Sequence, residues 1–444
     1  MRAAALAASS ALAANSGIAV AMPAAARTRL DSISESALRP AATACAMTWS
    51  IVCWSTSVAY SKGVSYLKRN SAMPPSKSNH RRVFVTRPVA DIALRRLAEH
   101  ARVDLWDDDA PPPHEELVVH LRDCDAVLSM ISDRLDARTI AGARRLVAIS
   151  NLAVGVDNID LVAATRASVA VGHTPGVLSE TTADLAFALM LAAARRVAEG
   201  DRFVRAGRWR MWTPRLMLGR DVWGATLGVI GWGAIGQAVA RRAAGFGMRV
   251  LYAAHNSGNS ATASSKSTTT TKAKARALMQ RPSAPGRETA VSGAECVELG
   301  QLLATADFIS INVPLTLQTR GMIGARELAA MKRGAILVNT ARGPVVDQTA
   351  LSDALRSGHL GGAGLDVTET EPIDADDPLL KLASVVITPH IGSASHATRH
   401  RMAELAVDNI LDVFAGRLPR HCANPAVKIG TPRRKAPAGT AKRK

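Results

Sequence analysis

From residue 83 onward, short apolar runs rich in β-branched residues alternate with stretches of helical period. VFVTRP (residues 83–88) is an apolar run closed by a turn signal, and it predicts a buried strand. A helical pattern follows through Ile92, Leu94, Leu97 and Ala98. VDLW, AVLSM, LVAIS and ASVAVGH predict further strands, HEELVVHLRDC predicts a helix, and a short helix is expected near Ile140. Alternation of this kind argues for a parallel α/β sheet with right-handed crossovers. SETTADLAFALMLAAARR (residues 179–196) predicts the most distinct helix of the chain, with Ser179 as its N-cap. Its apolar residues cover most of the circumference, so it should be buried, between two domains.

A second α/β run opens with TLGVIGWGAIGQAVARRAAGFGMRVLYAAH and continues through DFISINVPL, AILVNTA, GAGLDV and VVITPH, with a helix near Glu298. Residues 256–290 interrupt it with a Ser/Thr/Lys-rich stretch lacking any hydrophobic period, expected to be a disordered insertion. Residues 428–444 read as a disordered basic tail. The first 82 residues contain two uncharged runs, 3–26 and 40–61. A signal or transit peptide, a membrane anchor and a disordered extension are all compatible with them.

Charge sharpens this division. The chain of 444 residues carries +18, but residues 1–82, 256–287 and 428–444 carry +8, +6 and +7, so the rest nets −3. The basicity belongs to the appendages, and neither nucleic acid nor a membrane is an expected partner of the folded body. Five scattered cysteines with no C-x-x-C pair argue against a disulfide framework or a zinc site. A reducing compartment fits, the cytosol first, or a mitochondrial or plastid matrix if the extension is a transit peptide.

GVIGWGAIG places Gly231, Gly233 and Gly236 in G-x-G-x-x-G, after a predicted strand (227–230) and before a predicted helix (237–244). In that context the first glycine makes the tight turn, the second admits a pyrophosphate, and the third lets helix and strand pack. Phosphate would sit on free N–H groups of residues 233–236, including Ala234 and Ile235. An acid at the end of the next strand would bind the ribose 2′-OH of NAD. Here the chain reads VLYAAHNS, and no acid occurs from residue 222 to 287. NADP(H) is therefore favoured and NAD(H) possible, with His255, Ser257 and Lys266 near a 2′-phosphate.

Three charged residues follow predicted strands of this half: Arg342 after ILVNTA, Glu371 before Pro372, and His390 after VVITP. Ligands of open α/β sheets bind at such strand ends. Histidine can supply a proton near neutral pH, a carboxylate can hold the imidazolium, and arginine can bind a substrate carboxylate bidentately. Glu369 and Asp366 compete with Glu371 for the carboxylate role.

NLAVGVDNID, TPGVLSETTADLAFALMLAAARR, GVIGWGAIG, VNTARGPVVD, GLDVTETEP and TPHIGSAS together resemble the D-isomer-specific 2-hydroxyacid dehydrogenase family, over residues 83–427 and in family order. Within it the chain is most similar to glyoxylate/hydroxypyruvate reductases. The resemblance implies two doubly wound parallel-sheet domains, one flavodoxin-like and discontinuous, the other a Rossmann domain. The substrate domain would take residues 83–178 and 394–427, and the cofactor domain residues 179–393. It also implies reduction of a small 2-oxo acid to the D-2-hydroxy acid, with His390 as acid/base, Glu371 as its partner and Arg342 on the substrate carboxylate. Val154 and Gly155 would bind that carboxylate through backbone N–H groups. Asp366 and Ala341 would contact the nicotinamide end, Thr182 would lie near the cofactor, and Pro314 would lie on the adenine side. Trp212, with Trp209 as alternative, would cross into a partner's site in a homodimer. Phosphoglycerate or another hydroxy acid remains an alternative substrate, and a nicotinamide-sensing corepressor an alternative role. Related NADP-dependent members often carry Arg at the position of His255.

Overall fold

The computed structural model describes residues 81–254 and 293–429. Residues 1–80 of the amino-terminal extension, the insertion and nearly all of the basic tail lie outside the described residues, as do His255, Ser257 and Lys266; Arg82 already belongs to the first strand.

Two parallel sheets organise what is described. The first is built from β1 (Arg82–Val85), α1 (Asp91–Ala98), β2 (Arg102–Leu105), α2 (His114–Arg122), β3 (Ala126–Ser129), α3 (Ala137–Gly142), β4 (Ala148–Asn151), α4 (Leu161–Arg166) and β5 (Ala170–Gly172). Its strand order is β2-β1-β3-β4-β5, the flavodoxin-like order. Two helices lead on, α5 (Ser179–Ala194) and α6 (Val197–Arg205). The second sheet takes β6 (Thr226–Ile230), α7 (Ala234–Ala243), β7 (Arg249–Ala253), β8 (Glu295–Cys296), α8 (Leu299–Thr305), β9 (Phe308–Ile311), α9 (Ala325–Ala330), β10 (Ile336–Asn339), α10 (Gln348–Arg356), β11 (Gly362–Leu365) and β12 (Val385–Ile387). The order β12-β11-β10-β9-β6-β7-β8 reverses direction between β6 and β9, the switch point at which such sheets bind ligands.

Strands covered on both faces explain the continuous apolar runs of the sequence. In β3 and β10 every residue is buried. One face of the second sheet packs Leu302, Ile309 and Leu337; the other packs Phe187, Met190 and Val239 from α5 and α7. The last helix, α11 (His396–Phe414), returns to the first sheet. There Met402, Ala406 and Ile410 share a core with Val85 and Leu128. Asn409 presses on β5 so closely that a Cβ on Gly172 would stand 2.6 Å from its Cβ.

Two local expectations change, the N-cap of α5 and the start of α7. Ser179 is the first helical residue of α5, and Leu178 is the N-cap with no side-chain cap bond. Leu178 is buried in the first core, and its carbonyl accepts from Thr182 N at 2.9 Å, so packing starts the helix there. α5 itself lies along β10, β11 and α7, with nine of its sixteen residues buried. α7 begins three residues before the expected start, because Gly233 serves as its N-cap. Among the described residues no helix is long and apolar enough to cross a membrane.

Candidate active site

The glycine loop leaves β6 at Gly231, whose φ of +95° only glycine adopts freely. A Cβ there would also stand 2.7 Å from Asn312 O, and a Cβ on Gly236 would run into Gly231 O. Gly233 differs: a Cβ would meet nothing within 4 Å. It caps the ten-residue α7 and faces open space over the helix N-terminus. That is the cradle a pyrophosphate requires, with unpaired N–H groups and the positive end of the helix dipole. The residues present therefore fit a dinucleotide. Pro314 lies just past β9 across the switch point, its carbonyl accepting from Thr319 Oγ1 at 2.6 Å. Asn312 Oδ1 is buried nearby without a partner among the described residues. Trp232, between the first two glycines, stacks on Tyr252 of β7 with ring centroids 3.9 Å apart.

His390 sits three residues past β12 in the left-handed region, at φ +55°. For a non-glycine residue this costs about 1 kcal/mol or more and needs support from its surroundings. Asp366 supplies the support from the end of β11. Its carbonyl accepts from His390 N at 2.9 Å. Its buried carboxylate accepts from Thr388 Oγ1 at 2.6 Å, Ile391 N at 2.8 Å and Gly392 N at 2.7 Å. Thr182 Oγ1 donates to Gly392 O at 3.1 Å from α5. The turn so fixed brings His390 Nδ1 to 2.7 Å from Glu371 Oε2. Nε2 has no partner among the described residues. Glu371 is the carboxylate that reaches the imidazole; Glu369 instead gives its backbone N–H to Gln348 Oε1 at 2.9 Å.

Arg342 follows β10 on a loop clamped by Asn339. The Asn339 side chain accepts from Ala341 N at 3.0 Å and donates to Arg342 O at 2.9 Å. Gly343 lets this loop lie against the β11 loop, since a Cβ there would run into Thr368 O. The guanidinium reaches Asp157 on the turn after β4, with Nε 3.2 Å from Oδ1. In that turn His173 Nδ1 lies 2.8 Å from Val154 O, and Asn151 Nδ2 donates to Gly155 O at 2.9 Å. Carbonyl and N–H oppose each other across a trans peptide, so the anchored Val154 carbonyl turns the Gly155 N–H the other way. The N–H groups of Val154 and Gly155 take no acceptor among the described residues. Arg342 and Gly155 meet, although they come from different sheets: a Cβ on Gly155 would run into Arg342 Nη2.

Trp209 and Trp212 lie past α6 and are 58% and 76% exposed. A separate cavity of about 530 Å³ opens at the amino-terminal ends of β10 and β11, beside Ile336, Gly361 and Arg220. It holds none of the groups above. Asp157, Asn151, His173 and Asn339 could not be singled out from the sequence, because a polar side chain at a strand end or in a turn carries no sign of what it braces. Among the described residues no cluster of three His, Cys, Asp or Glu could hold a metal ion.

Residues 187–281 and 269–392 match the family model described as D-isomer specific 2-hydroxyacid dehydrogenase, NAD binding domain. A glyoxylate reductase of Korarchaeum cryptofilum is 48% identical over 353 residues, 79% of this chain and 98% of that one. The crystal structure of a Thermus thermophilus protein matches at 44% identity and TM-score 0.67, over 77% of this chain and 99% of that one. The NADPH-dependent glyoxylate/hydroxypyruvate reductase of Sinorhizobium meliloti, solved with NADP and malonate, matches at 27% identity and TM-score 0.63, over 80% and 99%.

Proposed function

Since the chain belongs to the D-isomer specific 2-hydroxyacid dehydrogenases, which are NAD(P)-dependent oxidoreductases, we propose that it reduces glyoxylate or hydroxypyruvate to the D-2-hydroxy acid. The observation that carries the reading is the His390–Glu371 pair at 2.7 Å, with Nε2 taking no partner among the described residues. The bound nicotinamide supplies the hydride that adds to the carbonyl carbon. His390 Nε2 gives its proton to the forming alkoxide, and Glu371 holds the imidazolium that must be present for this step. Arg342 and the N–H groups of Val154 and Gly155 bind the substrate carboxylate, and Arg342 also polarises the carbonyl. The product leaves with one hydride and one proton added, and His390 is reprotonated from water.

Gly231, Gly233, Ala234, Ile235 and Gly236 hold the pyrophosphate on this reading, and Thr182, Ala341 and Asp366 surround the nicotinamide end. Asp366 has room for the task, because three hydrogen bonds leave about one of its four acceptor sites open. NADPH is the preferred reductant, because no acid from residue 222 to 287 would repel its 2′-phosphate. Residues 83–178 and 394–427 form the substrate domain, and residues 179–393 the cofactor domain. Exposure of Trp209, Met211, Trp212 and Leu218 in one segment supports a homodimer in which Trp212 enters the partner's site.

The test is nicotinamide absorbance decay with the full chain, glyoxylate, hydroxypyruvate and pyruvate, each with NADPH and NADH. Rapid NADPH oxidation by either of the first two, lost in His390→Ala, is expected. Tight NADPH binding without turnover of any of them would overturn the reading.

A further inference from the structure

Asp157 is drawn into the site by a braced turn. Asn151 Nδ2 donates to Asn158 Oδ1 at 3.1 Å, and Asn158 Nδ2 donates to the carbonyls of Met130 and Asp133 at 3.0 and 2.9 Å. From this platform Asp157 meets Arg342 across 185 residues of sequence. Arg342 Nε donates to both carboxylate oxygens at 3.2 and 3.3 Å, and Nη2 lies 3.1 Å from Oδ1. Nη1 donates to Ala341 O at 2.9 Å. A guanidinium carries five N–H donors. Those bonded here are Nε–H and one Nη1–H, so N–H groups on both terminal nitrogens stay available. The side chains are 20% and 33% exposed, so the pair is partly withdrawn from water. Gly155 completes the arrangement, since a Cβ there would run into Arg342 Nη2 and stand 2.6 Å from Asp157 Oδ1.

We infer that Asp157 is a positioning residue for substrate: it holds the Arg342 guanidinium by its Nε side and presents the terminal nitrogens to the carboxylate of the 2-oxo acid. This rests on the reaction proposed above. It ties the side-chain half of the carboxylate site, at the end of β10, to the backbone half at Val154 and Gly155. A long side chain held in its binding rotamer loses less freedom when the ligand arrives, so the gain appears in substrate affinity.

The test compares the full chain with Asp157→Asn, Arg342→Ala and the double variant, at saturating NADPH with glyoxylate. In Asp157→Asn the KM for glyoxylate should rise roughly tenfold, kcat should move less, and the KM for NADPH should hold, as expected for lost ground-state binding. In the Arg342→Ala background the same change should add nothing, because residues acting through one group are non-additive. Equal effects in both backgrounds, or a KM that falls because Asp157 competes with substrate, would overturn the proposal. Oxamate, which cannot be reduced here, gives the same comparison by calorimetry without turnover. A wild-type chain that binds oxamate but reduces no 2-oxo acid refutes the reaction and leaves Asp157 to be judged on affinity. A wild-type chain that does neither refutes both. Should Asp157→Asn fail to fold, Gly155→Ala displaces the same guanidinium and must raise the oxamate Kd likewise.

Discussion

Glu371→Gln isolates what the carboxylate does for His390. The pair is a charge-assisted hydrogen bond of 2.7 Å, a class worth about 1.5–3 kcal/mol. Glu371 is 37% exposed and His390 26%, so water screens the pair and the low end applies. A loss of about 1.4 kcal/mol is tenfold in rate. The amide keeps the size of the side chain and can still contact Nδ1, but it no longer compensates a charged imidazole. The expected outcome is a kcat/KM for glyoxylate about tenfold lower, with NADPH affinity unchanged. His390→Ala, which removes the proton donor itself, should cost about 10²–10⁴. The double variant should then be no slower than His390→Ala, because Glu371 acts only through the imidazole. Steady-state kinetics on the four proteins decide the matter. A Glu371→Gln enzyme as fast as wild type would refute the reasoning, and so would a further loss in the His390→Ala background.

The two glycines of the loop should separate binding from folding. Gly233→Val fills open space over α7 and should weaken NADPH binding at least tenfold in a fluorescence titration with little change in Tm, whereas Gly236→Ala drives a Cβ into Gly231 O and should lower Tm in differential scanning. If Trp212 completes the site of a second copy, Trp212→Ala should lower kcat/KM for hydroxypyruvate several-fold without changing NADPH affinity; unchanged kinetics would place the residue outside the site. Burial, with the neighbouring His173 and Arg420, holds His421 below the usual histidine range. Its unfolded state therefore binds the proton more readily, so stability is present above about pH 6.5 and is lost as pH falls from there toward the folded value. His421→Gln should flatten the fall of Tm between about pH 7 and pH 5, and an unchanged slope would assign that fall to other groups.

The element pattern was legible in the sequence because it is local. A strand buried on both faces must be largely apolar, and AVLS and ILVN are apolar up to a single polar residue at the strand end. Gly231 and Gly236 were legible for a similar reason: a positive φ and a missing Cβ are demands that only one residue type meets, whatever the rest of the chain does. Arg342, Glu371 and His390 could be singled out because each follows a strand, where such sheets bind ligands. Their partners could not be read in the same way. On spacing alone Glu369 and Glu371 were equivalent, and the turn after β11 decides which one reaches Nδ1. Ser179 reads as a cap by residue type, but the buried Leu178 starts the helix. The return of α11 to β4 and β5, with Asn409 against Gly172, joins segments more than two hundred residues apart. The Asp157–Arg342 pair likewise depends on how two sheets are set against each other. Periodicity and backbone sterics act over a few residues and leave their mark in the sequence. A contact across two domains is decided by the packing of everything between them, so only the tertiary structure contains it.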